Sequence, residues 1–304
     1  MFRLTKSIFL AIPALTFLAS SASAQLLTRT WVGTNNTYDA NDCTKGTPCR
    51  TWAGALAKTA PGGEIVALDS GGFGPVTITQ SVRLLGPDAA SANTAGNDAI
   101  IIAAGPSDVV TLRGIVVNGG NVSGTSRGVK IISAGTVILD HCEILGFGQR
   151  GISIEPTSNN MKVTLLDTAV RANLSNGIVI QPTGTNLSVQ MDNVHVQQNA
   201  NYGISIASGS QISVRRSVIS NNGLSGFRLD GSVISSSLDL DQVEVSGNAI
   251  GIESLTGSTV RLSNTSIINN TTGLQPGGSI YSFGTNRVTA NGSGNSGMSS
   301  ISLQ

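Results

Sequence analysis

The chain is poor in charged, aromatic, histidine and cysteine residues, and each scarcity excludes a class of function. Of its 304 residues, 12% are charged, 4% are aromatic, two are histidine and three are cysteine. A formal net charge of +1 without a long basic run is not typical of proteins that bind nucleic acid or anionic membranes. The sequence contains no zinc-ligand motif, no glycine-rich phosphate loop and no nucleophile elbow, so we predict no cofactor.

Long hydrophobic runs are also scarce, and the one clear run lies near the start of the chain. Arg3 and Lys6 precede an apolar run at residues 8–18, and small residues follow up to Ala24. This is the pattern of a secretory signal peptide with its cleavage site, so we expect residues 1–24 to be removed on export to the periplasm or the medium. No later segment approaches the ~18 apolar residues that a membrane-spanning helix needs, and we predict no membrane span.

Glycine, by contrast, is abundant, and seven of the 37 glycines recur at nearly constant spacing. A short segment with alternating apolar residues follows each of them. Intervals of 22 to 26 residues are typical of a solenoid in which each repeat forms one coil. The repeating glycines are Gly128, Gly151, Gly177, Gly203, Gly226, Gly251 and Gly273.

Aligning the coils places apolar residues in columns with a period of two, as expected for strands with one buried face. The first strand of each coil contributes two columns, which are Val137, Val163, Val189, Ile212, Leu238 and Val260, and then Leu139, Leu165, Met191, Val214, Leu240 and Leu262. The second strand contributes Ile144, Val170, Val196, Ile219, Val245 and Ile267. An extra residue between the two strands turns the corner.

A column of asparagines follows the second strand, and its members are Asn173, Asn199, Asn222, Asn248 and Asn270. Asparagine tolerates left-handed backbone and hydrogen-bonds to neighbouring backbone groups, so we assign this column to a tight turn. A third strand then opens at the repeating glycine. Three short strands per coil, with coils ~4.8 Å apart, predict an all-β, single-domain, right-handed parallel β-helix.

Two other solenoids with comparable repeats are disfavoured. Leucine-rich repeats need a Leu-x-x-Leu-x-Leu signature, and calcium-binding nonapeptide rolls need a Gly-Gly-x-Gly-x-Asp series; neither occurs here. At the N-terminal end, residues 51–60 are predicted to form an amphipathic helix that caps the first coil and ends at Pro61. The predicted organisation is a signal peptide (1–24), a cap region (25–63), the β-helix (64–291) and a Ser/Gly-rich tail (292–304).

Several stretches resemble the exported right-handed parallel β-helix repeat proteins of the pectate-lyase-like superfamily. They are PCRTWAGAL at residues 48–56, GGEI at 62–65, GGFG at 71–74, VVTLRG at 109–114, and the ending from SFG at 282–284 to Asn291. The resemblance covers nearly the whole mature chain and implies the β-helix fold. Many members of that family have no assigned activity, so the resemblance implies no particular reaction.

Leu139, Asp140, His141 and Cys142 are similar to a strand motif that carries an Asp-His pair in pectate lyases. The motif that supplies an arginine base in those lyases has no counterpart here, and the Asp and His motifs of polygalacturonases are missing as well. The similarity to the Asp-His pair still makes Asp140 and His141 candidates for ligand binding. The favoured alternative is an outward-facing aspartate at a strand end followed by a histidine in a turn.

The cysteines suggest an oxidising compartment. Cys43 and Cys49 lie six residues apart in a turn-rich segment, where a disulfide is the natural prediction for an exported protein. A metal site is the alternative, but a cysteine pair without a nearby histidine supplies only half of the ligands that zinc takes. Cys142 falls in an inward column and is expected to be a free, buried thiol.

The outward positions of the first strand gather charge in the later coils. Asp192, Arg215, Asp239, Asp241 and Arg261 are predicted to form one patch. It could be a polysaccharide lyase site, in which Asp192 and Asp241 hold Ca²⁺ and Arg215 acts as the base. The favoured alternative is a charge ladder of exposed pairs, each contributing at most about 1 kcal/mol, with no bound metal.

These observations favour a secreted, non-catalytic β-helix that binds a polysaccharide or a cell-surface protein. Regular stacking explains nearly every column of the repeat, while no motif specific to a reaction is complete. The alternative is a lyase or hydrolase that acts on acidic polysaccharides through Asp192, Arg215 and Asp241.

Overall fold

A computed structural model describes residues 25–91, 97–124, 126–157, 159–184, 186–207 and 209–302. The predicted signal peptide lies outside these residues. Within them no helix is long and apolar enough to cross a membrane. In chain order the elements are β1 (Leu27–Val32), α1 (Trp52–Leu56), β2 (Thr59–Ala67), β3 (Gly71–Gly72), β4 (Val76–Ile78), β5 (Val82–Ser91), β6 (Ile100–Ala103), β7 (Val109–Asn118), β8 (Arg127–Ser133), β9 (Thr136–Asp140), β10 (Glu143–Leu145), β11 (Arg150–Ile154), β12 (Lys162–Leu166), β13 (Ala169–Arg171), β14 (Asn176–Ile180), β15 (Leu187–Asp192), β16 (His195–Gln197), β17 (Ile204–Ile206), β18 (Ser210–Arg215), β19 (Val218–Ser220), β20 (Ser225–Leu229), β21 (Ser236–Asp241), β22 (Glu244–Ser246), β23 (Ile250–Ser254), β24 (Ser258–Ser263), β25 (Ser266–Ile268), β26 (Thr272–Pro276), β27 (Ser279–Ser282), β28 (Arg287–Thr289) and β29 (Ser299–Ser300).

Parallel pairing between successive coils stacks these strands into three sheets. Sheet 1 runs through β1, β2, β5, β7, β9, β12, β15, β18, β21, β24, β27 and β29. Sheet 2 begins with β3, runs through the ends of β5 and β7, and continues through β10, β13, β16, β19, β22, β25 and β28. Sheet 3 runs through β4, β6, β8, β11, β14, β17, β20, β23 and β26. The predicted all-β, single-domain parallel β-helix is confirmed.

The apolar columns form the core inside the coil. Leu139 pairs with Leu165, which pairs with Met191, and all three are buried. The inward positions of sheets 2 and 3 are buried in the same way, as at Val196 and Ile180. Because side chains alternate between the two faces of a strand, the residues between these columns face outward.

A single residue with left-handed backbone turns the corner from sheet 1 to sheet 2. It has φ between 45° and 64° in successive coils. The side chains of this corner column beyond the first glycine are exposed. The corner column consists of Gly114, His141, Asp167, Asn193, Arg216, Gln242 and Asn264.

The asparagine column forms a buried ladder and does not itself adopt left-handed backbone. The left-handed residue is the one before each asparagine, namely Ala172, Gln198, Asn221, Gly247 and Asn269. Our assignment of positive φ to the asparagines is therefore wrong by one residue. Each Nδ2 from Asn173 to Asn248 donates to Oδ1 of the asparagine in the next coil, at 2.8–3.0 Å. Burial explains the choice of residue, because an amide can both donate and accept between coils.

The ladder also explains the repeating glycine. A Cβ on Gly177 would lie 2.6 Å from the backbone oxygen of Gly203 and 2.8 Å from Nδ2 of Asn199. Neither group can move without breaking a coil-to-coil hydrogen bond. The glycine is needed for close approach, since its φ is not positive.

The N-terminal helix is shorter than predicted. Thr51 caps α1 by accepting a hydrogen bond from the Gly54 N–H, and Trp52 is buried against Phe73 with ring centroids 5.3 Å apart. The helix ends at Leu56, not at residue 60, because the following residues join β2. There the Gly62 N–H donates to the carbonyl oxygen of Ser81 in the next coil. The helix contacts β1, β2 and β4 and so covers the first coil.

Sheet 1 reaches into both ends of the chain. It begins with β1, inside the segment expected to be the cap region, and ends with β29, inside the segment expected to be the tail. Cys43 and Cys49 form a disulfide in the N-terminal segment, and both are buried. Cys142 is free and buried, and burial raises the pKa of its thiol to about 11.

We expect Asn222→Ala to lower the free energy of unfolding by about 3 kcal/mol or more, because it leaves several buried polar groups unpaired. Asn222 accepts from the backbone and side-chain nitrogens of Asn199 and donates to Asn248 and to the Val196 carbonyl. The control is Asn201→Ala, which removes a half-buried amide bonded to Ser175 and should cost less than about 1 kcal/mol. Urea unfolding measures both losses; equal losses would contradict a structural role for the ladder.

We also expect Cys142 to resist alkylation in the native protein and to react once the chain is unfolded. The thiol is enclosed, and its raised pKa keeps it neutral, whereas the thiolate is the reactive species. Because the folded pKa lies above the ordinary value, Cys142 contributes stability below pH 9 that is lost as the pH rises towards about 11. Counting modified thiols by mass spectrometry tests the first expectation, and fast labelling of native protein would contradict it.

Candidate functional site

The outer face of sheet 1 carries two columns of outward side chains that run from coil to coil. Neighbours within a column belong to adjacent coils, ~4.8 Å apart. Outer column 1 comprises Arg29, Glu64, Arg83, Thr111, Ile138, Thr164, Gln190, Ser213, Asp239, Arg261 and Tyr281. Outer column 2 comprises Trp31, Val66, Leu85, Arg113, Asp140, Leu166, Asp192, Arg215, Asp241 and Ser263. The corner column lies beside outer column 2.

A groove of about 490 Å³ opens over the later coils, and we call it the Arg215 groove. Four of the residues singled out from the sequence line it together: Arg215, Asp239, Asp241 and Arg261. The remaining polar and aromatic lining includes Ser213, Asn264 and Phe283. The repeat register thus brings most of the charged patch into one concave surface.

The ion pairs in this groove are not those of the predicted charge ladder, in which Arg215 would pair with the aspartates of the neighbouring coils. Arg261 is paired with Asp239, with Nη1 3.2 Å from Oδ1. Arg215 lies one coil from Asp192 and one coil from Asp241. Its guanidinium is exposed and, among the residues that the structure describes, takes part in no ion pair or side-chain hydrogen bond.

The neighbouring aspartates are engaged by the corner column instead. Arg216 forms an ion pair with Asp192, and Asn264 Nδ2 donates to Oδ1 of Asp241 at 2.9 Å. The ladder expected through Arg215 is therefore not formed, because the corner residues already occupy the carboxylates on either side.

Asp192 and Asp241 are not brought together as a calcium pair. Arg215 separates them, so their strands are two coils, roughly 9.6 Å, apart. Oxygen ligands of one Ca²⁺ lie ~2.3–2.6 Å from the ion, and in this arrangement the two carboxylates do not reach a common ion. One oxygen of Asp192, Oδ1, is buried without a hydrogen-bond partner.

A second groove lies over the earlier coils, and we call it the Arg113 groove. It is lined by Arg83, Leu85, Arg113 and His141, together with two glycines. Arg113 Nε is 3.3 Å from Asp140 Oδ2, and His141 Nδ1 is 2.5 Å from Asp140 Oδ1. The hydrogen bond to Asp140 is the main cause that raises the pKa of His141 above its ordinary value. Asp140 ends β9 and His141 occupies the corner, which is the arrangement of an outward aspartate and a turn histidine.

The corner column contributes side chains to the charged surface that were not predicted from the sequence, among them Asp167, Arg216 and Asn264. A signal for them exists, because each immediately follows a member of outer column 2, as Arg216 follows Arg215. Continuing the alignment of coils by one residue would have placed them in the same column. Their backbone conformation and their partners, however, are not encoded in the spacing.

The comparisons with known proteins agree with this architecture. Residues 183–302 match the family described as right handed beta helix region. Among curated proteins, none matches the sequence significantly.

Solved structures with the same fold include several enzymes. Pectate lyase Pel9A superposes with a TM-score of 0.67 at 14% identity, over 87% of this chain and 78% of its own. The GH136 lacto-N-biosidase from Eubacterium ramulus gives 0.53 at 10% identity, over 90% and 67%. The A-module of mannuronan C-5 epimerase AlgE6 from Azotobacter vinelandii gives 0.50 at 14% identity, over 72% and 71%. At such identities the likeness concerns the fold.

We expect Arg215→Ala to change the free energy of unfolding by less than about 0.5 kcal/mol, because the guanidinium has no ion pair or side-chain hydrogen bond among the described residues. The positive control is Ile212→Ala on the same strand, which removes a buried side chain and should cost about 2–4 kcal/mol. Urea unfolding compares the two variants. A loss above about 1 kcal/mol for Arg215→Ala would show that the side chain is held by a charge pair in solution.

Proposed function

We propose that this chain, which has the right-handed parallel β-helix fold of the pectate-lyase-like superfamily, binds acidic polysaccharides along the outer face of sheet 1 without cleaving them. The observation that carries the proposal is the exposed guanidinium of Arg215, which has no ion pair among the described residues although it lies in a charged groove. A carboxylate of a bound uronic acid would supply the missing partner.

Arginine suits this role because its planar guanidinium binds a carboxylate through two parallel, charge-assisted hydrogen bonds. Binding there breaks no existing pair, since Asp192 is already neutralised by Arg216 and Asp241 accepts from Asn264. The contact between Arg215 and a uronate carboxylate therefore forms without the loss of an ion pair or hydrogen bond within the protein.

The rest of the Arg215 groove suits the hydroxyl groups of sugars. Asp239 and Asp241 offer acceptor oxygens, and Ser213 and Asn264 offer both donors and acceptors. Phe283 lines the groove, and Tyr281 lies beside Arg261 in outer column 1, one coil further along. The aromatic side chains provide an apolar surface at that end of the groove.

The outer columns continue along the sheet, so an extended polymer can lie across many coils. Two of the fold neighbours are named for pectate and mannuronan, which are both polymers of uronic acids. Export fits the same role, because the sequence starts with a signal-peptide pattern and the chain carries a disulfide. We therefore propose that the protein acts in the periplasm or the medium.

A second candidate function is a lyase that acts on the same polymers. The supporting observation is that Arg215 shares its groove with the carboxylates of Asp239 and Asp241. In such a reaction a base removes the proton α to the uronate carboxyl group while cations stabilise the charge that develops. Binding is favoured over cleavage because a lyase would use carboxylates to hold the cation. Here Asp192, Asp239 and Asp241 are each engaged by a neighbouring side chain instead.

Isothermal titration with polygalacturonate and alginate, and with dextran as an uncharged polymer, tests the binding proposal. We expect both acidic polymers to bind and dextran not to bind, and we expect Arg215→Gln to weaken binding by about tenfold or more, or ~1.4 kcal/mol. The matched control is Arg287→Gln, which removes an exposed arginine from sheet 2 and should leave the affinity unchanged.

Equal weakening by the two variants would point to net charge instead of a site, and absence of binding to either acidic polymer would refute the proposal. Incubating the polymers with the protein and Ca²⁺ separates binding from cleavage. New ultraviolet absorbance from an unsaturated uronate, lost in Arg215→Gln, would establish the lyase instead.

A further inference from the structure

Three metal-ligating side chains converge at the corner between sheets 1 and 2, outside the Arg215 groove. Asp140 ends β9, His141 is the next residue, and Asp167 occupies the same corner position in the following coil. One ligand atom from each lies within 4.8 Å of the other two. His141 and Asp167 lie in adjacent coils and are 26 residues apart in the sequence, so it is the stacking of the coils that brings them together.

The two carboxylates are oriented by other side chains. Arg113 Nε is 3.3 Å from Asp140 Oδ2, which leaves Oδ1 beside the imidazole, 2.5 Å from Nδ1 of His141. Asn193 Nδ2 donates to Asp167 Oδ1 at 2.7 Å, which leaves Oδ2 at 3.8 Å from the same nitrogen. Each carboxylate thus has one oxygen held from behind and the other directed at Nδ1. Such supporting contacts fix ligands in metal sites.

The backbone fixes the spacing of the group. The His141 N–H donates to the Leu166 carbonyl oxygen at 3.1 Å, and the Asp167 N–H donates to the Asp192 carbonyl oxygen at 3.1 Å. These bonds tie successive corners of the coil to one another. The backbone therefore keeps the ligand-bearing residues of the two coils beside one another.

We propose that Asp140, His141 and Asp167 form a binding site for a divalent transition-metal ion of the Zn²⁺ type. One imidazole nitrogen and two carboxylate oxygens suit Zn²⁺, with ligand distances of ~2.0–2.2 Å. Ca²⁺ takes about 6–8 oxygen ligands and has little use for an imidazole, so it is disfavoured. His141 and Asp167 are exposed, so the open side of the ion faces solvent.

This site is separate from the Arg215 groove, and neither proposal depends on the other. Arg113 lies behind Asp140 and its positive charge weakens the attraction for the ion, as does solvent exposure. The site is accordingly one of moderate affinity. Among the residues that the structure describes, Asp140, His141 and Asp167 form the group of three metal-ligating side chains that the stacked coils bring together.

Titrating chelator-treated, untagged full-length protein with Zn²⁺ in a calorimeter tests the proposal. We expect one ion per chain, a rise in melting temperature with Zn²⁺ by mass action, and a much smaller effect of Ca²⁺. Asp167→Asn and His141→Gln should lose most of the affinity. Asn193→Ala, which removes the support behind Asp167, should weaken binding roughly tenfold.

The chain offers matched controls, since it has only two histidines. His195→Gln on sheet 2 and Asp241→Asn in the Arg215 groove should bind Zn²⁺ as the wild type does. In the wild type itself, Zn²⁺ should shift the NMR signals of the His141 imidazole and leave those of His195 in place, so the test does not depend on a variant that folds.

Undiminished Zn²⁺ binding in His141→Gln or Asp167→Asn would overturn the proposal. So would the absence of binding at millimolar Zn²⁺, or equal affinity for Ca²⁺ and Zn²⁺. Loss of polysaccharide binding in Arg215→Gln bears on the other groove and leaves this result unaffected.

Discussion

Repetition of one backbone register from coil to coil is the constraint on which the rest of the structure depends. Because side chains alternate along a strand, a slip of one residue would turn a coil's core residues to solvent. The buried asparagine ladder opposes such a slip, since each amide, such as that of Asn222, finds its partners only in register. The glycine that faces the ladder leaves the space that those amides need.

The same constraint creates the surfaces on which we place the proposed binding sites. Residues more than twenty positions apart in the chain become neighbours when their coils stack, as Arg215 and Asp241 do on sheet 1. The left-handed corner residue adds a further line of exposed side chains beside them. Grooves with mixed charge therefore arise along the solenoid without any loop being built for the purpose.

The charges on this face add little to stability, and that leaves them available for ligands. Exposed pairs such as Arg261 with Asp239 contribute about 0–1 kcal/mol, far less than the buried columns. Arg215 has no pair among the described residues, and the Asp140, His141 and Asp167 group is held at the surface by Arg113 and Asn193. The positions to which we assign the two proposed binding sites are thus ones that the fold does not need for its core.

The sequence by itself determined the fold class, the inward columns and the coil-to-coil neighbours of Arg215, because all of these follow from a period that can be counted. Only the tertiary structure decided which partners the charges take, since Arg216, and not Arg215, reaches Asp192. It also decided that the residue before each ladder asparagine is the left-handed one, and that α1 ends at Leu56, shortly before β2 begins at Thr59 and joins sheet 1. The reason is physical: periodicity fixes which backbones stack, whereas side-chain rotamers, turn geometry and competition for hydrogen-bond partners are settled only when the coils are packed.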